Sequence, residues 1–249
     1  MRDKRNPQEW FIHGRELRLD DLPAIDFQMH TRWSDGASTV AEMISAARVQ
    51  QLEAIAITEH VNPSSAWYPH FVEQVKTDRA AVDDLAVYYG AEVAAADYHG
   101  GLKADPASLE RELLLGVVHR LPKRDGTGFW DFNELTRDDA IDLEIWALVG
   151  LAGNPDVDVL GHPGATTSTK YGQFPVEWLE PVYAAAREHG TAIELNSKYA
   201  WDLDATVALL NRIDPLVSFG SDAHDAAAVG PRFGSGSARR KQEGAASLR

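Results

Sequence analysis

Six apolar runs in this chain each end in, or carry, a residue that can bind a metal ion. AIDFQMH ends at His30 and EAIAITEH at His60. VYYGAEV carries Glu92, LLLGVVH ends at His119 and VDVLGH at His162, and LVSFGSDAH closes with Asp222 and His224. A buried parallel strand reads as a short apolar run, and a barrel of such strands carries its chemistry at their C-terminal ends. Ligand-type residues at one strand end after another converge on one pocket, so the pattern argues for a polynuclear metal site at the mouth of an α/β barrel. The chain has no cysteine, which excludes a disulfide framework and thiolate ligands. Imidazole and carboxylate donors suit Zn, Mn or Fe in an open site better than a closed structural zinc.

The elements that must position these residues alternate. Strands are expected at 24–30, 53–58, 87–93, 112–119, 157–161, 191–196 and 215–220. Helices are expected at 40–52, where Ser38-Thr39 can cap, from about Phe71 to 86, at 133–152, at 176–189 and at 203–212. About seven strand-helix units with no internal linker imply a parallel sheet with helices outside it. The segments 94–111 and 120–131 read as loop insertions. WFIHGRELRL reads as a small hairpin turning at His13-Gly14. The organisation is a residue 1–22 extension, one barrel domain over 23–235, and a low-complexity basic stretch at 236–249 that reads as a disordered tail.

At 249 residues and 44% hydrophobic the chain suits one large domain. Its net charge of −14 argues against long nucleic acid, which needs a basic face. A small phosphorylated substrate needs only local positive charge. The charged N-terminal segment MRDKRNPQEW is unlike a signal peptide, and no apolar stretch approaches the roughly 18–20 residues that span a bilayer. The expectation is a cytoplasmic protein without a membrane partner.

Side chains at i and i+2 of a strand share a face, so Gln28 and His30 point together, and Asp222 and His224 form a similar pair at a strand end. Asp35, in the loop after His30, can return to the same pocket. The chain thus offers QMHTRWSDG, TEH, GAE (90–92), VVH (117–119), GHPG (161–164), IELNS (193–197) and GSDAH (220–224). In that order these resemble the motifs of the polymerase-and-histidinol-phosphatase (PHP) superfamily of metal phosphoesterases over roughly residues 24–235. That family typically shows His-x-His-Thr-x-x-Ser-Asp-Gly, Thr-Asp-His, Gly-x-Glu, a strand-end His, His-Pro-Gly, Glu-x-Asn and Ser-Asp-Ala-His.

The resemblance implies a distorted, TIM-like (β/α)7 barrel in a single domain, with two or three divalent metal ions. Zn, Mn or Fe are the expected ions, and Mg is possible. By position, one ion would use His30, Glu92 and Asp222 together with Gln28. A second would use Glu92, His119 and His162, and a third Asp35, His60 and His224. Such cations lower the pKa of a bound water and neutralise charge in the transition state of phosphate ester hydrolysis. The expected catalytic group is this metal-bound water, with Asp222 and His224. Two positions depart from the family. Gln28 stands where the first His is usual, and an amide carbonyl is a much weaker ligand than imidazole. Glu59 replaces the usual Asp beside His60.

Arg120, Lys198 and Arg232 are candidate phosphate holders, each against a bland reading as a solvated surface charge. Asn196 reads as orienting a ligand or substrate. Trp67, Tyr68, Phe129, Trp130, Tyr199 and Trp201 could stack on a ring-bearing substrate or serve as outer packing. His13, His70, His99 and His189 match nothing in the pattern and read as structural or surface residues. The function expected is metal-dependent hydrolysis of a phosphate ester in a small phosphorylated metabolite or nucleotide. The alternatives are a non-catalytic or weakened metal-binding barrel, because of Gln28, and a metal hydrolase of C–N or C–O bonds.

Overall fold

A computed structural model describes residues 6–233, so the expected tail at 236–249 lies outside the described residues. Seven apolar runs form parallel strands in sequence order: β2 (Ile25–Asp26), β3 (Ala54–His60), β4 (Ala86–Ala94), β5 (Leu113–Val117), β6 (Val159–Leu160), β7 (Ala192–Asn196) and β8 (Leu216–Gly220). They coincide with the seven expected. β5 and β7 are buried along their whole length, as strands covered on both faces must be.

The sheet curls until its two ends meet. The amide of Phe27 donates to the Phe219 carbonyl, and that of His30 to the Ala223 carbonyl, each at 2.8 Å. Met29 and Ala223 form a parallel bridge. This seam carries the chain on from β2 and β8 side by side, and makes a single α/β domain with a TIM-like curled barrel.

The helices α1 (Val40–Val49), α3 (Arg137–Ala152), α5 (Glu180–His189) and α6 (Leu203–Ile213) fall within the expected segments to within a residue or so, whereas α2 (Tyr68–Arg79) begins before Phe71 and stops well short of 86. Thr39 and Glu42 form a capping box on α1, and Thr136 and Asp139 one on α3, which satisfies amides that have no partner in the first turn. A further short helix, α4 (Ala165–Tyr171), was not expected, because ATTSTKY is poor helix-forming sequence. It is held from outside: buried Glu144 of α3 accepts from the amides of Thr166 at 3.3 Å and Thr167 at 2.8 Å.

The expected hairpin at His13-Gly14 is replaced by β1 (Ile12–His13), which pairs antiparallel with β8 at Val217 and Leu216. The free edge of β8 offers unpaired backbone groups, and covering it outweighs a self-contained turn. Trp10 and Leu17, on either side, are buried in the core.

Both expected loop insertions are folded ribbons. After β4, Ala95 bridges Leu102; after β5, Pro122 bridges Phe129. The Tyr98 hydroxyl donates to the Pro122 carbonyl and ties one ribbon to the other. Among the described residues no helix is long and apolar enough to cross a membrane.

Candidate metal centre

The strand ends converge as the spacing requires, with Glu92 at the centre. Its carboxylate is fully buried, and its two oxygens face different groups. Oε2 lies 3.0 Å from His30 Nε2 and 3.6 Å from His60 Nδ1. Oε1 lies 2.8 Å from His119 Nε2 and 3.4 Å from His162 Nε2. A carboxylate presented this way can bridge two cations. Burial alone would raise its pKa, but the imidazoles of His119, His162 and His30 outweigh it and hold the carboxyl well below the usual range.

Around Glu92 the donors form three overlapping groups: His30, Glu92 and Asp222; His60, Glu92 and His119; and His30, Asp35, His60 and His224. His30 and Asp222 meet at 3.2 Å. Asp35 reaches His60 at 3.5 Å and His224 at 3.4 Å. The rings stack in pairs, His30 on His60 with centroids 4.1 Å apart and His119 on His162 at 5.5 Å. Burial is graded from floor to mouth. His30, Glu92 and Asp222 are sealed, His60 and His224 are half-buried, and His119 and Asp35 are exposed.

The donor set fits a metal. Neither nitrogen of buried His30 makes a hydrogen bond, nor does His162 Nδ1, although buried polar groups are nearly always satisfied. Burial disfavours charge on His30, yet the carboxylates of Asp222 and Glu92 pull a proton onto it and raise it to about 10; His162 is raised to about 9 in the same way. Carboxylates that attract a proton this strongly attract a metal cation, which binds the neutral ring in the proton's place.

His162 and Asp222 adopt left-handed backbone, with φ of 33° and 52°, a conformation that costs a non-glycine residue of order 1–3 kcal/mol and clusters at functional sites. Surrounding carboxylates hold these turns. Glu194 Oε2 accepts from the His162 amide at 2.7 Å. Asp26 accepts from the Ser221 amide at 2.9 Å, its hydroxyl at 2.5 Å, and the Gly230 amide at 2.8 Å. Glu59 accepts from the Thr31 amide at 2.9 Å and from the Ser34 hydroxyl, which fixes the loop bearing Asp35. Burial pushes Asp26 up to about 6, Glu194 up to about 8, and Glu59 upward.

Sequence reasoning assigned no role to these three acids. A signal was available, because an acid inside a buried apolar run must be paired.

Gln28 is buried, and both ends of its amide are engaged. Nε2 donates to Glu92 Oε2 at 3.0 Å, and Oε1 accepts from Asn196 Nδ2 at 2.8 Å. Asn196 Nδ2 also reaches Glu194 Oε2 at 3.1 Å.

A cavity of about 620 Å³ opens over the centre, and Arg120, Lys198, Lys103 and Lys170 reach its wall. Lys198 Nζ donates to Asp222 Oδ2 at 2.6 Å. Arg232 does not line the cavity; it is exposed and reaches the Ala227 carbonyl at 3.4 Å. Of the candidate stacking aromatics, Tyr199 lines the cavity, 5.3 Å from the His162 ring. Trp67 packs on Trp33, and Tyr68 is buried. His13, His70, His99 and His189 are exposed and outside the centre.

Comparison with known proteins bears on the family and the fold. A protein of Caldicellulosiruptor saccharolyticus named "Probable phosphatase" is 26% identical over 211 residues, covering 80% of each chain. One of the same name from Acetivibrio thermocellus is 29% identical over 177 residues, 70% of this chain and 65% of that protein. The crystal structure of histidinol phosphate phosphatase from Lactococcus lactis, complexed with zinc, L-histidinol and phosphate, shares the fold. Its TM-score is 0.63 at 16% identity, over 81% of this chain and 86% of that one. The PHP domain family model matches residues 26–198, with Asp222 and His224 supplied by the strand end beyond it. The converging strand ends and this match over more than half the chain lead to one conclusion: the chain belongs to the PHP domain family.

Proposed function

We propose that this chain is a metal-dependent phosphoesterase acting on a small phosphorylated molecule. The observation that carries the reading is the shared carboxylate of Glu92, with imidazoles on both of its oxygens, at the floor of a cavity walled by cations. Relatives named as phosphatases support it.

His30, Glu92 and Asp222 would hold one divalent ion, Glu92, His119 and His162 a second, and Asp35, His60 and His224 a third. Such ions supply Lewis acidity toward water and phosphoryl oxygens. The chain's own groups do the rest. Lys198 stands at the rim beside Asp222, where a cation holds phosphate oxygens. Burial lowers the pKa of Lys198, but Asp222 more than offsets it, so the ammonium stays charged. Gln28 acts on the site through Glu92: its donated hydrogen bond fixes the carboxylate, and Asn196 fixes Gln28. With both amide ends engaged, Gln28 reads as an adapted partner of the centre, which favours an active enzyme over a decayed one.

The test is phosphate release from a panel of phosphomonoesters and cyclic phosphates by chelator-stripped protein, with and without added Mn²⁺ or Zn²⁺. Metal-restored release is expected. Silence across the panel in protein shown to hold metal would refute the reading.

A further inference from the structure

We propose that Lys103 and Arg120 form a second anion-binding subsite beside the metal centre, so that the preferred substrate carries a second anionic group away from the phosphoryl that is cleaved. This rests on the phosphoesterase reading above and narrows its substrate class.

The two cations come from different parts of the chain. Lys103 follows the ribbon after β4, and its amide donates to the Ala94 carbonyl at 2.9 Å. Arg120 leads into the ribbon after β5, next to His119. Both lie over one aromatic ring, with Lys103 Nζ 4.0 Å and Arg120 Cζ 4.9 Å from the centroid of Phe129. Both line the cavity that contains Glu92, His119 and His162.

Their lack of acidic partners is the informative point. In a chain with 38 acidic and 24 basic residues, carboxylates are plentiful, and two neighbouring cations lie near them. Lys198 pairs with Asp222, and Lys123 lies 3.9 Å from Glu134. Among the described residues neither Lys103 nor Arg120 meets a carboxylate; the quadrupole of Phe129 is their partner. Burial, and then the charge of Arg120, lower the pKa of Lys103, so the pair is held together against mutual repulsion. An anion placed between them relieves that repulsion, and a forked guanidinium beside an ammonium suits carboxylate or phosphate oxygens.

The pair is also held in place. The Trp130 amide donates to the Leu121 carbonyl at 2.9 Å, that of Lys123 to the Gly128 carbonyl at 2.7 Å, and the Tyr98 hydroxyl joins the two ribbons. The subsite is therefore a wall of the cavity, and its cations are set before substrate arrives.

Three esters on one three-carbon skeleton test this: glycerol 3-phosphate, 3-phosphoglycerate and glycerol 1,3-bisphosphate. With Mn²⁺-loaded wild type, KM is expected to be about tenfold lower for the esters bearing a second anion. The favoured one of the two distinguishes a carboxylate subsite from a phosphate subsite. Lys103→Ala and Arg120→Ala should each narrow the KM ratio toward unity. Arg124→Ala, which removes a cation stacked on Trp146, should leave the ratio intact. An unchanged ratio in both subsite variants, or no preference in wild type, overturns the proposal.

If no ester is cleaved, the phosphoesterase reading fails separately. Calorimetric titration of metal-free protein with inorganic phosphate then decides the subsite. At least fivefold weaker binding in both variants supports it, and isotherms identical to wild type overturn it.

Discussion

Replacing Gln28 with Leu keeps the approximate volume of the side chain and deletes its amide. That amide makes two buried hydrogen bonds, one to the Glu92 carboxylate at 3.0 Å and one from Asn196 at 2.8 Å. A bond to a charged group contributes about 1.5–3 kcal/mol and a neutral one about 1 kcal/mol, so the metal-free variant should lose about 3 kcal/mol. For a chain of this length each kcal/mol moves Tm by roughly 2–4 °C, which gives a fall of roughly 6–12 °C. Removing the orienting partner of a metal-binding carboxylate typically costs about 10–100-fold in metal affinity. The variant should thus hold the same number of ions, each more weakly or the Glu92-linked ones selectively so. Thermal unfolding of chelator-treated protein measures the first effect. Competition with a chromophoric chelator, with metal content by plasma mass spectrometry, measures the second. A variant that binds one ion fewer, while the rest keep wild-type affinity, would show that Gln28 is itself a donor and refute the reasoning. So would a variant with neither property altered.

Three further outcomes are expected. His224→Ala and Asp222→Asn should each lower metal-dependent phosphate release at least about 10²-fold, on the scale of losing a partner of the metal centre; retained turnover would remove these residues from it. Gly220→Ala should lose about 1–3 kcal/mol or more, the cost of overpacking, because a Cβ there would press into Glu194 Oε1 and lie 2.9 Å from Gln28 Cβ; a soluble variant with wild-type Tm would contradict this packing. Burial raises the folded-state pKa of Glu144 above its ordinary value. Its contribution to stability is therefore greatest at low pH and declines as pH rises through that folded pKa. Glu144→Gln lacks this decline, so the Tm of the variant minus that of wild type should increase from pH 5 to pH 8; a flat difference contradicts the assignment.

The seven parallel strands were legible because each is a short apolar run closed by polar chemistry, and burial on both faces leaves such runs little other use. The candidate ligands were legible for the same reason: His30 and Asp222 interrupt apolar sequence at strand ends. Less was readable where structure depends on a distant partner. The helix at Ala165–Tyr171 exists because Glu144 receives its amides, and nothing in ATTSTKY announces that. Lys103 gains meaning only when one ribbon is laid beside another and both it and Arg120 come to lie over Phe129. Gln28 was visible as a departure, but its role was not, since the partners that occupy its amide lie on two other strands. Asp26 is the instructive omission: it alternates with Gln28 and His30 in the run read as a strand at 24–30, so the spacing that singled out those two already included it.

The seam between the first and last parallel strands has a consequence for how the molecule comes together. Asp26 and Ser221, which meet across it, are 195 residues apart, and His30 and Asp222 face each other just beyond. The deepest donor group is therefore split between segments that join only once the ring of strands has closed. Closing a long loop is the setting in which a clip contributes most. An ion shared by His30 and Asp222 would be a clasp on the barrel as well as part of its chemistry, and metal scarcity would loosen the molecule first at that joint, where the two richest ligand segments part company.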